Sequence, residues 1–364
     1  MSDAIGRLQL KRRNRRVLVR PFMYRCGSVE NSACKLLLLL CVQLGMLALA
    51  GSFRALLVVL AAALGSIAAG FVSRKMDGRG TPWHLSAVIS AVQGIMVGMM
   101  LPEAYPPATV FFVTLCAMLF IQHFFGGFSC SWLNAPAFAV AVMWLVGSKA
   151  FPSLHVSSEL LSLRNPLQRL IEGGVYPVQE FDAGVTAALN GAVFKLFKVS
   201  VPEGYVSLFW DARTSIPAFR FNAVTLASSA VLFGDDLLRC VVPACFTAAY
   251  LALVRFAAPF FFDGIRFQGD MLLALLTGGT LFCAVFLLDW FGTAPESVAG
   301  KVLYGISAGI IAFLISGCGT SPCGMAFTVV IGNIVSILIQ MWEERRNRRA
   351  LRAVLAAEQV REDE

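Results

Sequence analysis

Thr186 is the residue of this sequence that is best suited to carry a covalently attached group. It lies in the run Glu180–Leu189, which reads EFDAGVTAAL. A threonine hydroxyl can serve as a nucleophile once an enzyme activates it. Gly184 removes side-chain bulk beside the hydroxyl, small alanines follow it, and the acidic Glu180 and Asp182 can guide a modifying enzyme or its metal. The run therefore predicts a small-residue turn that presents a threonine for attachment.

A second interpretation of the same run needs no chemistry. Asp182 is a residue type that often caps the first turn of a helix, so a helix can begin here with Thr186 as an ordinary surface residue. The spacing of the residues alone favours this second interpretation over an attachment site. Only the position of the run within the whole chain can reverse that preference.

Acidic residues at the ends of the hydrophobic segments are the next candidates, because carboxylates at membrane depth are costly and often lie on ion paths. They are Glu103, Asp235, Asp236, Asp263, Asp270 and Asp289. Their position at segment ends favours solvation at the level of the lipid headgroups. Asp289 stands apart because the apolar stretch Phe286–Leu288 precedes it directly.

Other kinds of catalytic site are not indicated. The three histidines, His84, His123 and His155, are too dispersed to predict a haem or metal site. The sequence has no phosphate-binding loop and no glycine-rich dinucleotide fingerprint. Any redox chemistry would therefore come from a cofactor that the protein holds and tunes.

The elements that must position Thr186 follow from composition. Hydrophobic residues make up 57% of the 364 residues and charged residues 14%, whereas soluble domains are nearer half apolar and a quarter charged. The excess lies in blocks of about 17–22 residues, the length that crosses a bilayer as a helix. We therefore expect an all-α polytopic membrane protein with about ten spans. The expected spans are Cys34–Ser52, Ala55–Val72, Trp83–Leu101, Ala108–Phe124, Asn134–Gly147, Asn222–Phe233, Cys240–Phe256, Met271–Leu288, Val302–Ile315 and Gly324–Trp342.

An even number of spans places both termini on one side. Arginines flank the first and last spans, so the positive-inside rule makes residues 1–32 and 343–364 cytoplasmic and exports the long polar loop 148–221. The same basic clusters favour contact with anionic membrane lipid over nucleic acid. The remaining residues, 33–147 and 222–342, form two membrane halves of five spans each, and an odd number per half predicts inverted orientation.

The fifth and tenth spans begin alike. The fifth begins in Gly126–Phe138 and the tenth in Gly317–Phe327, both rich in glycine, proline and small polar residues before Ala-Phe and an apolar run. Such starts are typical of broken helices, whose free backbone groups need a partner in the protein or a ligand. Ordinary polar loops before unbroken helices remain an equally good interpretation.

Several segments resemble the family formed by the D subunits of Rnf complexes and, more distantly, the B subunits of sodium-pumping NADH:quinone oxidoreductases. Phe124–Gly127 followed by Leu133–Ala137 is similar to the family's Gly-Gly and Phe-Asn-Pro-Ala segment. Asp289–Pro295 resembles its Thr-Asp-Pro-Val-Thr-Ser-Pro segment. Ser321–Phe327 with Asn333 resembles its Tyr-Pro-Glu-Gly-Val-Ala-Phe segment and the asparagine that follows. The order and spacing of these segments make the set specific.

The resemblance assigns a cofactor to the run around Thr186. In that family the loop after span five carries a Ser-Gly-Ala-Thr motif, and an exported flavin transferase joins FMN to its threonine by a phosphoester. Ala183–Thr186 falls at this position, so the resemblance implies Thr186 as the attachment residue and Gly184 as part of the site. The residues on either side of Gly184 differ from the family's serine and alanine.

The implied function is that of a flavoprotein subunit in the cell inner membrane. With the other subunits of an Rnf-type complex, it would pass electrons from reduced ferredoxin or NADH in a process coupled to Na⁺ or H⁺ movement. A second, non-covalent flavin is left open. The alternative function is a channel or solute transporter, because an arrangement of two halves with broken helices is shared with urea-transporter-like folds.

Overall fold

A computed structural model describes residues 29–363, apart from 78–82, 126–130, 153–155, 157–159, 161–162, 164–165, 193, 198–199, 236, 263–266, 268, 291 and 318–320. The described part is helical and contains no strand. Its α-helices are α1 Val29–Leu49, α2 Phe53–Asp77, α3 Trp83–Met99, α4 Pro107–Phe124, α5 Ala135–Gly147, α6 Pro166–Glu172, α7 Asp182–Ala192, α8 Tyr205–Trp210, α9 Asn222–Gly234, α10 Val241–Phe256, α11 Ala258–Phe261, α12 Met271–Leu276, α13 Thr280–Phe282, α14 Val298–Ala312 and α15 Gly324–Asp363. Most of the segment 1–32 and parts of both proposed broken starts, 126–130 and 318–320, lie outside the described residues.

Six of the helices are long and apolar enough to cross a membrane, namely α1, α2, α4, α10 continued through α11, α14 and α15. Three shorter apolar helices, α3, α5 and α9, account for further predicted spans. The chain is thus a multi-pass membrane protein, as the composition predicts. The count of ten spans in two inverted halves stays a prediction. The last helix runs beyond the predicted span end at Trp342, through the charged tail to Asp363.

The predicted eighth span, Met271–Leu288, is broken in the middle. Helix α12 ends at Leu276, and Gly278 and Gly279 follow with φ of +68° and +73°, a region that favours glycine. The chain then continues through α13 into a π-helical turn, Cys283–Leu287. The Thr280 hydroxyl donates to two carbonyls at the break, those of Ala274 at 3.0 Å and Thr277 at 3.2 Å. The break therefore lies in this span, where the sequence did not predict one.

Glycines allow two helix pairs to pack backbone to backbone. On α3, a Cβ at Gly98 would lie 2.5 Å from the Cα of Val59 on α2, and Gly94 is similarly close to the same helix. On α14, Gly305 and Gly309 approach α10 in the same way, because a Cβ placed at either glycine would lie 2.7 Å from a Cβ atom of that helix. Since lipid gives no hydrophobic drive between helices, such small-residue contacts stabilise the pairs through close packing.

The segment 148–221 packs over one end of the helix bundle. The guanidinium of Arg220 donates to Asp211 at 2.9 and 2.7 Å and to the Ser52 hydroxyl, between α1 and α2, at 2.5 Å. The backbone N–H of Glu103, between α3 and α4, donates to the carbonyl of Ser215 at 3.0 Å. These bonds connect residues 211–220 of the segment to two helix–helix turns at once.

Candidate functional site

Thr186 lies on a helix and not in a turn. The run predicted as a small-residue turn forms α7, which begins at Asp182, so the helical interpretation of the run is the correct one for the backbone. Backbone bonds from Asp182 N–H to Gln179 and from Val185 N–H to Phe181 lead the chain into the helix. Thr186 occupies the second turn.

The Thr186 side chain faces inward. It is 4% exposed, and its hydroxyl donates to the Asp182 carboxylate one helical turn earlier, at 3.0 Å. Neither interpretation of the sequence anticipated this position: the hydroxyl is not presented to solvent, and Thr186 is not a surface residue. Glu180, in contrast, is exposed.

Asp182 does not cap its own helix but holds the start of the next one. Its carboxylate accepts from the backbone N–H of Gly204 at 2.8 Å, and from both the backbone N–H and the hydroxyl of Ser207 at 2.6 Å. Gly204 precedes α8 and has a φ of +103°. With Thr186, these bonds tie α7 to α8, and we call the four residues the Asp182 clasp.

The clasp keeps its carboxylate ionised. Burial acts to raise the pKa of Asp182, but the hydrogen bonds from Gly204, Ser207 and Thr186 act against it, and the net pKa is lowered. Such bonds stabilise the charged form, because all of these groups donate to it. Asp182 is therefore a fixed acceptor and a poor proton acceptor for catalysis.

The opposite face of α7 is open. No heavy atom lies within 4 Å of a Cβ placed at Gly184, and Ala183 and Ala187 are exposed. Phe181, Val185 and Leu189 form an exposed apolar row at four-residue spacing along this helix. The helix thus carries Thr186 on its inner face, with free space and apolar surface on the outer one.

Helix α8 is anchored to the membrane part. The Tyr205 hydroxyl donates to Asp270, whose other carboxylate oxygen caps α12 by accepting from the Leu273 N–H at 2.9 Å. The amide of Asn222 donates to the carbonyl of Leu208 in α8 at 3.1 Å and to that of Leu276 at the end of α12 at 2.8 Å. Both ends of α12 are thereby bonded to α8 or to its neighbour Asn222.

The acidic residues at span ends have different partners. Asp270 caps α12, Asp235 forms an ion pair with Lys35 at 2.8 Å, and Glu103 is partly exposed at its turn. Asp289 borders a cavity, discussed below. Asp236 and Asp263 lie outside the described residues. His123 is exposed at the end of α4.

The start of the fifth span is bonded to the π-helical turn of the eighth. The Asn134 side chain caps α5 by accepting from the Ala137 N–H at 3.0 Å, and its amide donates to the carbonyl of Leu287 at 2.7 Å. The Tyr304 hydroxyl donates to the next carbonyl, that of Leu288, at 3.2 Å. Protein groups therefore satisfy these free carbonyls without a ligand.

Comparisons with known proteins place the chain among membrane redox subunits. The family model described as the NQR2, RnfD, RnfE family matches residues 16–349. Three similar proteins are each named as the D subunit of an ion-translocating oxidoreductase complex. The one from Vibrio vulnificus strain YJ016 is 24% identical over 285 residues, 69% of this chain and 77% of that protein. Those from Cronobacter sakazakii and Shewanella sediminis are 22% and 23% identical, covering 81% and 70% of this chain and 87% and 75% of theirs.

Proposed function

Because the chain belongs to the NQR2, RnfD, RnfE family, we propose that it is a membrane subunit of an ion-translocating electron-transport complex. The names of its relatives support this role, since each is a subunit of an ion-translocating oxidoreductase complex. In this proposal it works with the other subunits of an Rnf-type complex and carries FMN on Thr186, added by an exported flavin transferase. Electron transfer is then coupled to Na⁺ or H⁺ movement.

Thr186 carries the cofactor part of the proposal. Thr186 and the preceding Gly184 are the residues that the resemblance requires. They lie in a segment that is bonded to the membrane helices through Arg220 and Asn222. Bound FMN would supply the redox chemistry that the side chains of this chain do not. In the unmodified chain the Asp182 clasp holds Thr186 against α8, which is itself bonded to the bundle.

The small residues around Thr186 leave room for FMN, but the Thr186 hydroxyl in its present position cannot carry its phosphate. Gly184, Ala183 and Ala187 leave space beside the helix for a bulky planar ring. The hydroxyl itself points at the carboxylate of Asp182 and is buried, so a phosphate on it would meet a negative charge at hydrogen-bond distance. Attachment therefore requires the Asp182 clasp to open and α7 to turn its inner face outward.

In the unmodified chain Asp182 holds the Thr186 hydroxyl inward, away from a modifying enzyme. Because its pKa is lowered, it does not take the threonine proton at neutral pH. Removal of that proton falls to the modifying enzyme, which must gain access to the opened helix. The clasp thus separates an unmodified, closed form from a form that the enzyme can use.

The test is the mass of the peptide that contains Thr186, after the chain is produced together with a flavin transferase. We expect a gain equal to FMN less one water, and flavin fluorescence of the chain on a denaturing gel. Thr186→Ala should abolish both, whereas Thr214→Ala, a partly exposed threonine of the same segment, should change neither. An unmodified Thr186 peptide, or fluorescence that survives Thr186→Ala, would refute the assignment.

A channel or solute transporter is the second candidate. The observation that favours it is the break at Gly278 and Gly279, because transporters of two-half architecture bind solutes at broken helices. It predicts solute flux through vesicles that contain only this chain. Vesicles that conduct no small neutral solute above the empty-vesicle rate would remove this candidate.

A further inference from the structure

A cavity of about 290 Å³ opens at the end of the bundle opposite the segment 148–221. It lies between α1, the end of α9, the chain after the π-helical turn and the start of α14. One wall is apolar, formed by residues such as Leu36, Leu232 and Phe286. The other wall carries the charged side chains of Asp289, Glu296 and Lys301. We call it the Asp289–Lys301 cavity; its volume is near the lower end of the roughly 300–1,000 Å³ of small-molecule sites.

Lys301 is the unusual member of this wall. The sequence placed it just before the ninth span, but α14 begins at Val298, so Lys301 lies in its first turn and is only 9% exposed. Among the residues that the structure describes, none accepts a hydrogen bond from its ammonium, and no carboxylate lies within 4.0 Å of it. Charge on a largely buried lysine is costly unless an anion or acceptor faces it, and within the described residues Asp289 interacts with Lys301 only across a gap.

The charges around Lys301 are mixed. Asp289 interacts electrostatically with Lys301 and with Arg239, too far from Lys301 to form a direct ion pair. Glu296 is exposed at the rim. Glu343, which approaches the same helix start, already accepts from the Ser297 hydroxyl and does not line the cavity. The charged wall of the cavity thus carries a cation and carboxylates that lie farther apart than ion-pair distance.

We propose that the Asp289–Lys301 cavity binds the zwitterionic headgroup of a phospholipid that carries a primary ammonium. The phosphate lies against Lys301, and the ammonium donates to Asp289 and Glu296. A headgroup with both charges matches the wall better than a purely anionic one, which Asp289 and Glu296 would repel.

The surroundings of the cavity suit the acyl chains of such a lipid. Helix α1 exposes Leu38 and Val42, at 64% and 49%, and α9 exposes Val231 at 50%. In a multi-pass membrane protein these side chains face lipid tails. The apolar wall of the cavity, at Leu36 and Leu232, thus belongs to two helices that also expose apolar side chains to lipid.

The experiment is native mass spectrometry of the full chain in detergent, with phosphatidylethanolamine and phosphatidylglycerol of identical acyl chains offered in competition. We expect the ethanolamine lipid to be retained roughly tenfold better, since the charge-assisted hydrogen bond to Asp289 changes affinity by about that factor, and the bond to the exposed Glu296 adds little. Equal retention, or preference for the glycerol lipid, would overturn the proposal. This comparison uses the unmodified sequence and needs no variant to fold.

Variants locate the site. Lys301→Met and Asp289→Asn should each reduce retention of the ethanolamine lipid roughly tenfold or more, and Lys301→Arg should retain it. Lys35→Met is the matched control, because Lys35 pairs with Asp235 at the same end of the bundle but does not line the cavity. Unchanged retention in Lys301→Met would overturn the site. Soluble phosphoethanolamine that binds as tightly as the lipid would show a free zwitterion as the ligand and overturn the lipid assignment.

Discussion

The Asp182→Asn variant removes the charge from the Asp182 clasp while keeping the shape of the side chain. In the folded chain the carboxylate accepts four hydrogen bonds, from Thr186, Gly204 and two groups of Ser207. Asparagine keeps one acceptor oxygen and places an NH₂ where the other stood. If the NH₂ takes the position beside Ser207, it meets the backbone N–H of that residue donor to donor.

The expected cost follows from those contacts. Both bonds from Ser207 are 2.6 Å long and go to an ionised acceptor, and such bonds contribute about 1.5–3 kcal/mol each. The Ser207 hydroxyl can turn and accept from the new NH₂, which recovers part of the loss. The net destabilisation of the contact between α7 and α8 is then about 3 kcal/mol, or roughly a hundredfold in the equilibrium of local opening.

Hydrogen exchange measured by mass spectrometry on the detergent-solubilised chain reports this opening. We expect exchange to rise roughly a hundredfold in the peptides that cover α7 and the start of α8, with helices such as α2 and α10 unchanged. Glu180→Gln is the control, since Glu180 is exposed two residues before the clasp. Unchanged protection of α7 in Asp182→Asn would show that the clasp does not hold the two helices together.

The same carboxylate predicts an acid step. The folded pKa of Asp182 is lowered from 3.8, so its contribution to stability is complete above that value and is lost as pH falls through the folded pKa. Protection of α7, corrected for intrinsic exchange rates, should therefore be constant from neutral pH down to about 4 and fall only below it. Asp182→Asn should lack this step. Loss of protection between pH 5 and 7 in the unmodified chain would contradict the assignment.

Two further substitutions test the packing of the fold. Gly98→Leu on α3 would drive a side chain into the backbone at Val59, so we expect the free energy of unfolding to fall by about 3 kcal/mol or more. The measurement is the melting temperature in detergent, which should be lower. Gly45→Leu on α1 is the control and should be tolerated, because nothing lies within 4 Å of a Cβ at Gly45. Arg220→Met leaves Asp211 buried without its bidentate partner and should cost about 3–5 kcal/mol by the same assay. A melting temperature for either variant equal to that of the unmodified chain would refute the corresponding contact.

The membrane helices could be predicted from the sequence because their length is set by the solvent. A bilayer crossing needs about 20 apolar residues in a helix, and stretches such as Pro107–Phe124 and Ala135–Gly147 meet or approach that length. These helices begin and end within a residue or two of the predicted bounds. The break after Leu276 was not predicted, because an apolar average over Met271–Leu288 conceals it. The Gly-Gly pair flanked by threonines was the available signal.

The candidate site was predicted only in part. Thr186 and Gly184 were identified from the sequence, and of the two interpretations of the run the helix, which spacing favoured, is the one that forms. Phe181, Val185 and Leu189 recur along it at four-residue spacing, which indicates a helix. The Asp182 clasp depends on Ser207, which is 25 residues from Asp182 in sequence. A contact of that kind arises from tertiary packing and has no local pattern. Lys301 was missed because the ninth span was begun one residue after it.

The two sides of the Asp182 clasp differ in how firmly they are held, and this decides which one moves when Thr186 is exposed. Helix α8 is bonded to the membrane part through Tyr205 with Asp270 and through Leu208 with Asn222. Outside the clasp, the hydrogen bonds that side chains of α7 make within the described residues are the two that Asn190 exchanges with the neighbouring backbone of the same segment, both 2.9 Å.

Since fewer bonds hold α7, opening the clasp costs least when α7 swings away and α8 stays. A shift of α8 would instead disturb both ends of α12 and reach the break, where Phe219 already packs against Gly279. Movement of α7 as a unit keeps the bond from Thr186 to Asp182 and breaks the bonds of Asp182 to Gly204 and Ser207 and those of Asn190 to Val201. The proposed attachment at Thr186 therefore leaves the packing of the membrane helices intact.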